Sequence, residues 1–69
     1  MSHKVIYGLF EKMFPTYAAE TTEWFMNGKG SIRVRLGEQH KDYIFTFIDS
    51  KRWIFETIDS YLDRLKKNK

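Results

Sequence analysis

Few side chains in this chain are of a type and spacing that could do chemistry. His40 sits in the polar stretch Glu38-Gln39-His40-Lys41-Asp42, and His3 lies near the start. Glu56 interrupts the apolar run Trp53-Ile54-Phe55, and hydroxyls occur at Ser2, Ser31, Ser50, Ser60 and five threonines. A hydroxyl nucleophile needs a base within reach and a third group to orient that base. None of these hydroxyls falls in a nucleophile-elbow motif. His40 reads as a solvated loop histidine, able to titrate near neutrality but without the company of a site. Glu56 reads as the ion-pair partner of Arg33 or Arg35 across a sheet, or as a solvent-facing residue. The chain is therefore expected to be non-catalytic.

Phosphate and metal chemistry fare no better. Gly28, Gly30 and Gly37 lack the spacing of a P-loop or a dinucleotide turn, and Gly28 and Gly30 around Lys29 are better explained as backbone-bending positions. There are no cysteines and only two histidines, too few for a thiolate or histidine metal site. No cofactor and no metal ligand is expected. The formal charge of +3 suggests nucleic acid, but Lys66, Lys67 and Lys69 supply all of it. Without the last four residues, nine basic side chains face nine acidic ones. Such a basic tail ordinarily complements a helix C-terminus.

The elements that must position these groups follow from periodicity. Sixty-nine residues make one domain, small enough that only about 60% of the unfolded surface is buried. Six Phe, four Tyr and two Trp partly compensate, because each large ring removes about 150–250 Å² from water. Self-association or a second protein is the other usual support at this size. Ser2 caps a helix carrying Val5, Ile6, Leu9, Phe10 and Met13, which Pro15 should end near Met13. Gly8 weakens its middle and permits another element to approach closely. The segment 16–26 is open between a short helix through Ala18 and Glu20 and a fourth strand turning at Asn27-Gly28. A short helix passing into an extended piece around Trp24 is slightly favoured.

Three runs then alternate as an antiparallel meander, at about 31–36, 42–48 and 52–57. The middle run carries Tyr43, Phe45 and Phe47 on one face and Ile44 and Ile48 on the other, so it should be central and covered on both sides. Trp53-Ile54-Phe55-Glu56-Thr57 reads as the third strand, followed by a helix at about 58–67 capped by Thr57 or Asp59. A single long helix from Asp49 is the competing reading. The fold class expected is α+β.

The words NGKGSIRVRL, YIFTFIDSKRWIFET and SYLDRLKK, spanning about residues 21–67, resemble short proteins of unknown function from phages and integrated or conjugative elements of Gram-positive bacteria. The resemblance implies a mobile-element accessory protein and carries no chemistry with it.

Two functional readings remain. In the first, an outer sheet face bearing Ile44, Ile48 and Ile54, with Trp24 as an anchor, docks a protein or a second copy of the chain. In the second, Lys29, Arg33, Arg35, Arg52 and the lysine tail hold a nucleic acid. No apolar run approaches the roughly 20 residues needed to cross a bilayer, and no secretory pattern is present. A cytoplasmic location without membrane contact is the expectation.

Overall fold

The computed structural model describes residues 2–37 and 41–67, so His40 lies outside the described residues. Helix α1 spans His3–Met13. The Ser2 hydroxyl accepts the Val5 N–H at 3.3 Å, satisfying one of the orphan donors of the first turn. Phe14 adopts φ −132° and ψ 66°, the non-helical geometry that a following proline imposes, and α1 stops there. Ile6 and Phe10, four residues apart on one face, are wholly buried. The close approach expected at Gly8 is not made: a Cβ there would meet nothing within 4 Å.

Both alternatives for 16–26 are realised in succession. Helix α2, Pro15–Glu20, opens with proline at its first turn, where a missing N–H costs nothing. Strand β1, Thr21–Met26, follows at once. The switch falls where alanines give way to Thr21, Thr22, Trp24 and Phe25, residue types that suit a pleated surface. At that switch the Thr21 hydroxyl donates to the Tyr17 carbonyl at 2.8 Å.

The turn out of β1 uses Gly28 at φ +82° and Gly30 at φ +71°, as backbone-bending glycines should. Gly30 is also crowded, since a Cβ would lie 3.1 Å from the Phe47 carbonyl oxygen. Gly30→Ala is expected to cost about 1–2 kcal/mol, read as a lowered urea midpoint at unchanged slope. An unchanged midpoint would count against this geometry.

Strands β2 (Ser31–Leu36), β3 (Lys41–Asp49) and β4 (Arg52–Thr57) complete an antiparallel sheet ordered β1-β2-β3-β4. The meander thus has four strands where three were expected. The connection from β3 to β4 is tightened by Asp49, whose Oδ1 accepts the Lys51 and Arg52 N–H groups at 2.8 and 2.9 Å. Helix α3, Ile58–Lys67, is capped by the Thr57 hydroxyl accepting the Ser60 N–H at 3.1 Å.

Register fixes the two faces. Trp24, Val34 and Tyr43 stand in line, as do Ile32, Phe45 and Phe55, and Phe47 opposes Trp53. This front face packs on α1 and α2, where Ile6, Phe10, Ile32, Val34 and Phe45 form the buried core. Ile44 belongs to the back face, directly across from Glu56 and Arg33. There α3 covers β3 and β4, with Ser60 and Arg64 reaching Glu56, and Ile44 is wholly buried. The cover expected on this face is thus supplied by α3, while α2 packs on the front.

Candidate functional site

The four expected interface residues do not form one patch. Ile44 is removed from the surface by α3, because a β-branched residue central on the back of β3 lies under the only helix on that side among the described residues. Ile48 is 54% exposed at a register shift in β3, beside a pocket of about 380 Å³ that Ile6, Lys29, Gly30 and Phe47 also line. Ile54 is half-buried on β4, opposite Thr46. Trp24 stacks on Tyr7 with ring centroids 5.0 Å apart and planes 9° from parallel, which makes it a rim residue of the core.

The arginines are committed within the chain. Arg33 and Arg35, two apart on β2, both grip Asp42 on β3. Arg33 Nε donates to Oδ2 at 2.6 Å and Arg35 Nε to Oδ1 at 3.0 Å. Arg35 Nη1 also donates to Glu23 at 3.0 Å, and its guanidinium lies over the Phe25 ring at 5.5 Å. Asp42 is the residue the sequence reading missed: its role depends on register, which sets it opposite Arg35. Hydrogen bonds from Arg35, ahead of the other contributions, hold its carboxyl below the usual aspartate range. The same bonds push the Arg35 guanidinium up.

Glu56 does not pair with Arg33 or Arg35. Its carboxylate, only 9% exposed, accepts Arg64 Nη2 at 2.6 Å from α3, because Ile44 separates it from Arg33 across the sheet. Arg52 pairs with Asp49 at 2.8 Å on the turn. Of the expected nucleic-acid contacts, Lys29 and Lys66 make no ion pair among the described residues, Lys67 of the tail pairs with Asp63 at 3.5 Å, and Lys69 lies outside the described residues. Arginines already bound to carboxylates have less to offer phosphates.

A cleft of about 600 Å³ lies where β2, β3 and α3 meet, lined by Arg35, Lys41, Asp42, Thr57, Ile58 and Asp59. Its two cations and two carboxylates offset one another, and its threonine is occupied as a helix cap. No group of three or more acidic or histidine side chains suited to a metal occurs among the described residues. No helix among them is long and apolar enough to cross a membrane.

The most chemically distinctive surface is the outer edge of β4. In an antiparallel sheet the N–H and C=O of one residue point to the same side, and neighbours along the strand alternate. The Phe47 N–H donates to the Gly30 carbonyl at 2.8 Å, so Phe47, and Phe45 two residues earlier, address β2. Thr46 and Ile44 then address β4, through their partners Ile54 and Glu56. It follows that Trp53, Phe55 and Thr57 turn their backbone groups outward, where the sheet order places no further strand among the described residues.

A belt of rings flanks this edge. Phe14 stacks on Phe55 at 4.6 Å and meets Trp53 edge-on at 5.4 Å, while Tyr17 meets Phe55 at 5.2 Å. Tyr17 and Trp53 remain 38% and 40% exposed. Open backbone donors and acceptors beside half-exposed Trp53 and Tyr17 combine main-chain pairing with residue types that dominate binding energy. Comparison with known protein families, curated proteins and solved structures returned no match.

Proposed function

We propose that this protein is a non-catalytic accessory protein that works by binding another polypeptide, which adds a strand to the free edge of β4. The observation that carries the reading is the coincidence of outward-facing backbone at Trp53, Phe55 and Thr57 with the half-exposed rings of Trp53 and Tyr17. Main-chain pairing supplies affinity, and the belt of Phe14, Tyr17, Trp53 and Phe55 supplies an apolar anchor beside it. The resemblance of segments within about 21–67 to proteins of phages and integrated or conjugative elements supports reading this role as that of a mobile-element accessory protein.

A photo-crosslinking amino acid tests the reading when placed at Lys51 or Thr57, flanking the edge, and at Thr22 on β1 as a comparison. Expression in a Gram-positive host should give polypeptide adducts from positions 51 and 57 and few from 22. Equal or absent capture at the three positions would remove the β4 edge as the binding surface.

A further inference from the structure

We infer that the occupant of the β4 edge is a second copy of this chain, paired antiparallel about a two-fold axis through Ile54. This rests on the strand-addition reading and names its partner. In an isologous pairing each residue of β4 meets a residue of the same strand, so the sequence must complement its own reverse. An axis through Ile54 sets Trp53 opposite Phe55 of the copy, Arg52 opposite Glu56 of the copy, and Ile54 opposite itself. Rings then meet rings on the front, and on the back Arg52, which already holds Asp49, comes opposite the Glu56 that Arg64 already binds, so opposite rather than like charges face each other, each contact occurring twice.

The backbone agrees with this register. Trp53 and Phe55 both turn N–H and C=O outward, so each Trp53–Phe55 pair exchanges two hydrogen bonds, and Ile54 occupies the narrow non-hydrogen-bonded position between them. Moving the axis to Trp53 sets Arg52 opposite Ile54 and Lys51 opposite Phe55. Moving it to Phe55 sets Glu56 opposite Ile54. Both lose the charge match.

The other edge lacks this self-complementarity. Outward residues on β1 are Trp24 and Met26, and an axis through Phe25 sets Glu23 opposite Asn27. That pair brings no opposite charges together, and a register shift between Thr21 and Glu23 blunts that edge. Pairing of β1 with β4 of another copy would be open-ended, whereas the two-fold at Ile54 closes after two chains.

Single-cysteine variants of the full chain test the register, because the protein itself contains no cysteine. At the Ile54 position the two Cα atoms would lie about 4.5 Å apart, within the bridging range of about 4.4–6.8 Å. For Trp53 or Phe55 against its own copy the offset is about 7–8 Å, beyond that range. Ile54→Cys should therefore oxidise to a covalent dimer at least about tenfold faster than Trp53→Cys or Phe55→Cys. The unaltered chain should sediment at twice its 8.4 kDa mass at high concentration. Arg52→Glu should raise the dimer Kd about tenfold or more, because it places like charges opposite each other at two symmetric sites.

Faster bridging at 53 or 55 would overturn the register, and a chain that stays monomeric throughout would overturn self-pairing. The edge reading is decided separately. Adducts from positions 51 and 57 to a different polypeptide would sink self-pairing and keep the edge, while no adducts at all would sink both.

Discussion

Phe10→Ala is expected to lower the unfolding free energy by about 3–5 kcal/mol, the range for deleting a buried phenyl ring. Phe10 is wholly buried, and its ring lies within 6 Å of four others: Tyr7, Phe14, Phe45 and Phe55, at centroid distances of 5.9, 5.9, 5.6 and 5.5 Å. It is thus the side chain through which α1 holds both β3 and β4. At about 0.05–0.15 kcal/mol per residue the whole domain is worth about 3–10 kcal/mol, so one truncation removes a third or more of it. Urea unfolding followed by circular dichroism should show the midpoint collapse or the cooperative transition vanish. A loss below about 1 kcal/mol would mean that the site closes over the missing ring, and that the aromatic cluster is not organised around Phe10.

That cluster was legible from the sequence because it depends on parity and local signals. Tyr43, Phe45 and Phe47 alternate, so they share a face whatever covers it. Ser2 and Pro15 bracket α1, and Thr57 caps α3, through short-range chemistry that tertiary contacts had only to accept. The segment 16–26 stayed open because its two halves have opposite preferences and the boundary falls between them at Glu20 and Thr21. Which helix covers Ile44 was not legible, since parity assigns a face but not the layer above it. Parity puts Glu56 on the back face with Arg33 and Arg35, which leaves it open to pair with either or to face solvent. Lateral order, with Ile44 interposed, hands it to Arg64 instead.

The free edge of β4 was hidden for the same reason. Whether β4 ends the sheet depends on where β1 docks, and β1 pairs with β2. Had the fourth strand joined on the other side, Trp53 and Phe55 would have been central and their backbone groups satisfied. The functional surface proposed here is therefore a consequence of topology, although the residues that give it affinity were visible as half of an ambiguous run.

Asp42→Ala should cost about 2–3 kcal/mol at neutral pH, which is large for a residue bearing no apolar weight. Its carboxylate, 9% exposed, lies between two guanidinium groups on one strand, and its removal leaves Arg33 and Arg35 as like charges two residues apart on the same face. The arginines, each about two-fifths exposed, recover part of the loss from water, which keeps the effect below that of a fully buried pair. The pH dependence follows from the direction of the shift. The folded-state carboxyl lies below the unfolded value of about 3.9, so the unfolded chain binds the proton first as pH falls. The stabilisation is complete above that value and is lost as pH drops through the folded one. Urea midpoints of the wild type and Asp42→Ala should therefore differ most near pH 7 and converge as the pH falls below the ordinary aspartate range, while the exposed Asp49, shifted the same way, adds an equal slope in both proteins. A difference independent of pH would show that Asp42 acts by its shape and packing, and that Arg35 is held in place by Glu23 and Phe25 alone.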